Sequence, residues 1–279
     1  SGQRPILIHQ RLDFALLSME QIVNQAAKWH YMFSGKSSVP LVIRMIIGRG
    51  WGQGPQHSQS LQSWFAHIPG LKVIMPSSPE DAKGLLISGI RDDNPVISLE
   101  HRWLYDINGP VLEEPYVTPI GQAKIVRKGK DITVVAISFM VVEAMRAANY
   151  LKEYGVDVEV VDLRSLNPLD MSTVMKSVNK TGRLIVTDTG WTTYGASAEI
   201  VASVVENVEM PLKSRPVRVA LPDVPTPTTN ALADLLYPRA EDLARKILES
   251  VEINYPSDLS IDNLGIPLDV PGSRFVGPF

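Results

Sequence analysis

Apolar residues recur along the first hundred positions with helical and then strand periods, which predicts an α/β arrangement. The segment Asp13–Phe33 carries apolar residues at three- and four-residue spacing, which predicts an amphipathic helix with Asp13 as its cap. A second helix should run from Ser78 to about Arg91, because Ser78, Pro79 and two acids supply a cap, a first-turn proline and first-turn charges. Between and after these helices, we predict strands at residues 40–44, 71–75 and 95–99.

The remainder of the chain repeats this alternation after a proline-rich stretch. Residues 108–120 contain three prolines and paired acids, which predicts a linker between a first domain at 1–107 and a second at 121–252, with an irregular tail at 253–279. In the second domain, helices are predicted at 141–154, 172–178, 196–208 and 239–251. Its strands are nearly continuous apolar runs and are predicted at 131–138, 156–162, 183–188 and 216–220. Such strands predict a mostly parallel sheet covered by helices on both faces.

The composition excludes several kinds of partner and chemistry. The 279 residues have a net charge of -3 without long blocks of one sign, so we expect neither a nucleic acid nor a membrane surface as partner. The apolar runs are too short to span a bilayer. Cysteine is absent, which excludes disulfides, thiolate metal sites and cysteine nucleophiles. Its absence also fits a reducing compartment, and we expect a cytoplasmic location.

Among the five histidines, His57 is the strongest candidate for chemistry. It follows the glycine-rich loop Gly48–Gly54, where its imidazole can approach a ligand and transfer a proton near neutral pH. The alternative is a turn histidine that is bonded only to its own loop. The loop matches neither of the common nucleotide-binding motifs, and no hydrolase elbow occurs in the chain. The other histidines are expected at a helix end, for His67, or as surface and interface groups, for His9, His30 and His101.

A polar turn, Asp92–Pro95, is a second candidate site. Its carboxylate, amide and carbonyl oxygens could bind a hard cation, although aspartate and asparagine before proline are also ordinary turn residues. The sequence alone leaves both interpretations open.

Several motifs, taken together, resemble the beta subunits of thiamine-diphosphate-dependent 2-oxo acid dehydrogenases, the decarboxylating components of complexes such as pyruvate dehydrogenase. They stand in that family's order and spacing and cover residues 4 to about 250. The motifs are Asp13–Ala15, Gln21–Lys28, Val39–Arg44, Gln56–Ser60, Ala66–Val73, Asp81–Leu86, Val161–Leu166 and Asp223–Pro227.

The resemblance implies a cofactor, partners and roles for particular residues. Thiamine diphosphate is expected between this chain and an alpha subunit, which holds its diphosphate and magnesium through a Gly-Asp-Gly motif that this chain lacks. Phe14 is expected to pack against the aminopyrimidine ring, and His57 to assist acyl transfer to a lipoyl group. A structural potassium ion is expected at a set of mostly carbonyl ligands from Leu41, Gly89, Ile90, Asp92 and Asn94. Further partners implied are a second beta subunit and a lipoyl acyltransferase.

Departures from the family pattern define the alternatives. The family's cofactor-activating glutamate lies upstream of the helix near Asp13, so we expect a first domain without its start and a chain that is inactive alone. Ile8–Arg11 and Thr187–Trp191 also differ from the usual pattern, which suggests a divergent branch. The alternatives are a fragment of a single-chain transketolase or deoxyxylulose-phosphate synthase, and a non-catalytic interaction module that kept the fold.

Overall fold

Two sheets organise the computed structural model, which describes residues 2–49, 52–257 and 259–261. Within these residues the strands are β1 (Ile6–His9), β2 (Val42–Ile47), β3 (Lys72–Ile74), β4 (Val96–His101), β5 (Lys124–Arg127), β6 (Ile132–Ala136), β7 (Val158–Asp162), β8 (Ser165–Asn167), β9 (Leu184–Trp191) and β10 (Val217–Leu221). The α-helices are α1 (Ala27–Met32), α2 (Gln62–Ala66), α3 (Pro79–Arg91), α4 (Met140–Tyr150), α5 (Met171–Thr181), α6 (Ala196–Asn207), α7 (Asn230–Ala233) and α8 (Ala240–Ser250).

Both sheets are mostly parallel, which confirms the predicted fold class. The first sheet has the order β1-β2-β4-β3-β8 and the second β10-β9-β6-β7-β5. Only the β3–β8 and β5–β7 pairs are antiparallel among the described strands. Strand β8 belongs to the second half of the chain but completes the first sheet, so the two halves are joined by backbone pairing. We did not predict it, because a three-residue edge strand has almost no pattern of its own.

Capping residues explain where α3 begins and where the helical segment that starts with α4 ends. Helix α3 begins as predicted: the Ser78 hydroxyl accepts a hydrogen bond from the Asp81 N–H at 3.2 Å, and Pro79 occupies the first turn. After α4, a 3-10 turn at Leu151–Tyr154 ends at Gly155, which has the left-handed backbone angle φ 73° that glycine adopts without strain. The predicted end of this helix is therefore confirmed.

The predicted helix at residues 13–33 is wrong in its details. The segment consists of a 3-10 helix at Leu12–Ser18, a π-helix at Gln21–Ala26 and only then α1. Arg11 occupies the N-cap position, and no side chain makes a cap hydrogen bond there. Asp13 is not a cap, because its carboxylate is bonded to a histidine from a distant loop.

Strands β1 and β5 and helix α2 were also not predicted, since each has at most five residues.

One apolar core extends across both halves of the chain. It includes Met45 and Phe65 from the first half and Val161, Leu163 and Ile200 from the second. The predicted linker has no helix or strand and packs on α3, where Thr118 donates its N–H to the Gly84 carbonyl. These contacts pack the two sheets against each other. Residues from both halves of the chain are therefore held close together.

The end of the described chain packs against helix α8 and the core. Leu259 and Ile261 are buried, and the Ile261 N–H donates to the Glu241 carboxylate at 2.9 Å. The predicted irregular tail beyond Ile261 lies outside the described residues. No helix within the described ranges combines the length and apolar character needed to cross a membrane.

Candidate active site

The glycine-rich loop begins at the carboxyl end of β2, where Gly48 has a left-handed backbone, φ 80°. A Cβ atom built on Gly48 would lie 2.4 Å from the Nε2 atom of His101, so only glycine fits between this loop and the next strand end. The carboxyl ends of parallel strands are where α/β sheets bind ligands. Gly50 and Trp51, which belong to the same loop, lie outside the described residues.

Arg49 fixes the start of this loop to the second half of the chain. Its guanidinium is wholly buried and donates to the carbonyl oxygens of Gln53 at 2.9 Å and Thr228 at 2.5 Å. The Arg49 carbonyl in turn accepts from the indole N–H of Trp103 at 2.7 Å. This role could not be predicted from the sequence, because Thr228 is 179 residues away. These hydrogen bonds hold the start of the loop in place, and the loop leads from there to His57.

At the end of the loop, His57 meets two residues from the first helical segment. The Nδ1 atom of His57 lies 2.8 Å from Oδ2 of Asp13, and the rings of His57 and Phe14 are 5.5 Å apart and tilted by 36°. The His57 side chain is 41% exposed and that of Asp13 only 14%. Half of the Phe14 residue surface is exposed. The three side chains thus form a cluster that is accessible to a ligand, which we call the His57 cluster.

Charged side chains also lie at the carboxyl end of the first sheet. Arg11 is buried and donates to the Gly48 carbonyl at 3.3 Å, and burial together with the charge of Arg102 lowers its pKa to about 10. It still carries a positive charge at neutral pH. Arg44 forms a bidentate ion pair with Glu100 at 2.7 and 2.8 Å. The departure at Ile8–Arg11 therefore places a cation behind the site.

His101 is not the surface or interface group that the sequence suggested. It is fully buried, stacks on Phe139 with the ring centroids 5.1 Å apart, and accepts a hydrogen bond from the Trp103 N–H at 3.3 Å. Burial, with the nearby charges of Arg239 and Arg11, lowers the pKa of His101 to about 3. A permanently neutral imidazole in this position packs the strand end against Gly48 and is not available for proton transfer.

The five residues expected to bind potassium lie around one turn. The carbonyls of Ile90 and Asp92 accept hydrogen bonds from Nη1 of Arg4 at 3.2 and 2.7 Å. The carbonyl of Gly89 accepts from the Asp92 N–H, and that of Leu41 from the Val96 N–H. The side-chain amide of Asn94 donates to the Asp92 carboxylate, which also binds Lys72. A potassium ion would therefore share its oxygens with an arginine.

The largest cleft described here lies apart from the His57 cluster, and no metal cluster accompanies it among the described residues. Among residues 2–49, 52–257 and 259–261, no group of three histidine, aspartate or glutamate side chains is arranged to hold a metal ion. A cleft of about 880 Å³ lies between α2 and α6 and is lined by Trp64, Trp191 and Tyr194, among others. His57, Asp13 and Phe14 are not part of its lining.

Two sequence families match the chain in tandem. Residues 1–107 match the family described as "Transketolase, pyrimidine binding domain", and residues 121–243 match "Transketolase, C-terminal domain". The beta subunit of acetoin:2,6-dichlorophenolindophenol oxidoreductase from Cupriavidus necator is 46% identical over 87% of this chain and 72% of that protein. The mitochondrial pyruvate dehydrogenase E1 component subunit beta of Caenorhabditis elegans is 42% identical over 91% of this chain and 73% of that protein.

The chain belongs to the family of beta subunits of thiamine-diphosphate-dependent 2-oxo acid dehydrogenases. Pyruvate dehydrogenase E1 component subunit beta-1 of Arabidopsis thaliana is a further relative of this beta subunit, 43% identical over 88% of the chain and 69% of that protein. The predicted family is confirmed. Membership implies an alpha subunit as partner and thiamine diphosphate as cofactor.

A solved structure supports the fold of this beta subunit. "Split gene transketolase, inactive beta4 tetramer" superposes with a TM-score of 0.72 over 90% of this chain and 77% of that chain. Its sequence identity of 21% makes it a comparison of fold alone. The transketolase-like arrangement of two α/β units is therefore shown by structure as well as by sequence.

The geometry of the His57 cluster defines what the beta subunit can do chemically. Phe14 offers an open aromatic face on which a heteroaromatic ring can pack. The Nδ1 atom of His57 is bonded to the Asp13 carboxylate, and Nε2 is the nitrogen that does not contact this carboxylate. The cluster can therefore hold a flat ring and move a proton beside it.

Proposed function

We propose that this chain forms the pyrimidine side of a thiamine diphosphate site that it shares with an alpha subunit. The observation that carries the proposal is the pairing of a half-exposed Phe14 ring with the His57 imidazole, 5.5 Å away, at the carboxyl edge of a parallel sheet. A large, flat and open apolar surface beside a titratable group suits the aminopyrimidine of the cofactor.

The residues present fit one side of the cofactor only. The sequence contains no Gly-Asp-Gly motif, and the described residues offer no cluster of acids for magnesium. We therefore assign the diphosphate and its magnesium ion to the alpha subunit. Leu17 supports a partner beside Phe14, because its large apolar side chain, on the same 3-10 helix, is 91% exposed. Exposed apolar patches of this kind mark protein interfaces.

The reaction that we propose is the decarboxylation of a 2-oxo acid, with transfer of the remaining acyl group to the lipoyl disulfide of an acyltransferase. The disulfide is the two-electron oxidant and is reduced to an acyl thioester and a thiol. The bound cofactor supplies the electron sink for decarboxylation. In this chain, Phe14 orients the cofactor ring, and His57 transfers a proton to or from the reacting group during acyl transfer. We further propose that the second domain contacts a second beta subunit and the acyltransferase. A cytoplasmic location stays a prediction from the cysteine-free composition.

The proposal is tested with a full-length version of this beta subunit, which includes the upstream region with the family's activating glutamate, reconstituted with an alpha subunit that carries a Gly-Asp-Gly motif. Saturable binding of thiamine diphosphate with turnover of a 2-oxo acid is expected, and His57→Ala should leave assembly intact but lower acyl transfer to lipoate by about 100-fold or more. His30→Ala, at an exposed histidine on α1, is the matched control. Binding to the partner without turnover contradicts the enzyme and supports the interaction module.

Acetoin is a second candidate substrate, because the relative that is 46% identical is named for acetoin. The same reconstituted enzyme should be given pyruvate, branched-chain 2-oxo acids and acetoin at equal concentrations. Preference for a 2-oxo acid in kcat/KM supports our main proposal. Preference for acetoin places this chain with the oxidoreductase of Cupriavidus necator instead.

We also keep the potassium site as a proposal. Its support is the convergence of Leu41, Gly89, Ile90, Asp92 and Asn94 around one turn, and its competitor is the guanidinium of Arg4. Melting temperature in potassium chloride should exceed that in sodium chloride at equal ionic strength, and more so in Arg4→Gln. Equal melting temperatures in both salts, for both proteins, contradict a potassium site.

A further inference from the structure

We propose that Asp13 is a positioning residue that keeps the proton of neutral His57 on Nδ1, so that Nε2 is the nitrogen that acts on the ligand. This inference rests on the proposed function, because it deepens the role of His57 there. Its basis is the 2.8 Å contact between Oδ2 of Asp13 and Nδ1 of His57, two residues 44 positions apart in the chain.

Hydrogen-bond chemistry fixes the direction of this contact. An ionised carboxylate can only accept, and a neutral imidazole has one N–H and one lone pair. A hydrogen bond to Asp13 therefore requires the N–H on Nδ1 and leaves the lone pair on Nε2. The tautomer of a histidine is set in this way by the partner of its other nitrogen.

The surroundings favour a well-defined contact. Asp13 is the more buried partner, with a side chain 14% exposed, and His57 is the more open one at 41%. A carboxylate shielded from water makes a stronger charge-assisted hydrogen bond than an exposed one. The Phe14 ring lies against the imidazole, 5.5 Å away, and restricts its rotation. Asp13 and Phe14 thus contact the imidazole from two directions.

A purely structural role for Asp13 finds less support. Acids near the beginning of a helix commonly cap it or interact with its dipole. Here the N-cap position belongs to Arg11, and no cap hydrogen bond from a side chain is present. The Asp13 carboxylate instead contacts His57, which follows a different strand and lies beside the exposed Phe14 ring.

Nitrogen NMR of the chain labelled at its histidines tests the inference without cofactor or turnover. At a pH where His57 is neutral, Nδ1 should resonate as a protonated nitrogen and Nε2 as an unprotonated one, with His57→Gln identifying the signals. Asp13→Asn should shift the population toward the Nε2–H form, because an amide can donate to Nδ1. Glu20→Gln, at an exposed carboxylate on the same segment, is the control. An unchanged tautomer in Asp13→Asn overturns the proposal.

Turnover of the reconstituted complex gives the second measurement. Asp13→Asn should lower kcat for acyl transfer by about 10-fold or more while KM changes little, and Asp13→Glu should restore part of the loss. The two claims can fail separately. If the NMR tautomer depends on Asp13 but the complex shows no turnover, the positioning role stands and the proposed function fails. Full turnover in Asp13→Asn with an unchanged tautomer overturns only the positioning role.

Discussion

The buried guanidinium of Arg49 donates to the carbonyl oxygen of Thr228 at 2.5 Å. This bond joins the start of the glycine-rich loop to the second half of the chain. The same guanidinium donates to Gln53, within the loop. Arg49 therefore connects two segments that are otherwise far apart in sequence. The loop conformation at the candidate site depends on the relative position of both halves.

Arg49→Met should keep most of the buried volume and remove these hydrogen bonds. The Thr228 carbonyl then loses its arginine donor, whereas the Gln53 carbonyl keeps the Ser58 hydroxyl, so the free energy of unfolding should fall by about 1–3 kcal/mol. Urea unfolding measures this loss, and limited proteolysis at 48–57 measures the loosening of the loop. Arg49→Lys, which keeps the charge but not the planar fork, should be intermediate. Unfolding curves that coincide with the native one contradict the role.

Gly48→Ala should be strongly destabilising for two separate reasons. The left-handed angle of φ 80° is unfavourable for alanine, and the added Cβ would lie 2.4 Å from the imidazole of His101. We expect a loss of about 2–4 kcal/mol in urea unfolding. The cost should be smaller when it is measured in a His101→Ala background, which makes room for the methyl group. Equal costs in both backgrounds would mean that the steric contact with His101 is absent.

The fold was predictable where the local chemistry is strong. The cap and proline at Ser78–Pro79 determined where α3 begins, and Gly155 determined where α4 and its 3-10 extension end. Strand β8 was not predictable, because it pairs with β3 from the other half of the chain. The 3-10 and π geometry before α1 was missed for a similar reason: an apolar repeat indicates a helix but not its hydrogen-bond register.

The candidate site was predictable in part. His57 and Phe14 were found from motifs, and the structure brings their rings together. Asp13 was identified only as a cap, since nothing in the sequence links it to a histidine 44 positions away. His101 was expected at a surface and is buried, because a histidine can be satisfied by ring stacking and one hydrogen bond that leave no periodic trace in the sequence.

Phe14 offers a test of cofactor binding that is independent of proton transfer. Because its ring is half exposed, Phe14→Ala should change the stability of the free chain little. In the reconstituted complex it should weaken thiamine diphosphate binding by about 10-fold, which corresponds to about 1.4 kcal/mol of lost aromatic packing. Titration by fluorescence or calorimetry measures the affinity. Phe14→Tyr keeps the ring and should bind normally, and a Phe14→Ala complex with native affinity contradicts ring packing.

Asp162 and Arg164 adjoin each other in a second buried polar cluster, where the halves of the chain meet. The Asp162 carboxylate accepts hydrogen bonds from the Ser77 hydroxyl and from the Arg164 N–H, and the Arg164 guanidinium pairs with Asp81 at 2.8 Å. Burial, opposed by the hydrogen bond from Ser77, raises the pKa of Asp162 to about 6. The charged groups beside it are Asp81, which raises this pKa, and Arg164, which lowers it.

This raised pKa predicts a loss of stability as pH increases. The folded chain holds the proton of Asp162 more tightly than the unfolded chain, so its contribution is complete below the unfolded value of 3.8 and is lost as pH rises to about 6. Asp162→Asn cannot ionise and should therefore not lose stability as pH rises. Its side-chain amide can donate a hydrogen bond to the Ser77 hydroxyl. Its free energy of unfolding at pH 8 should therefore exceed the native value by roughly 1–3 kcal/mol, with a smaller difference at pH 4. Asp223→Asn, at an exposed acid, is the control for urea unfolding at both pH values. A variant that is less stable than native at pH 8 would show that the ionised carboxylate stabilises the fold.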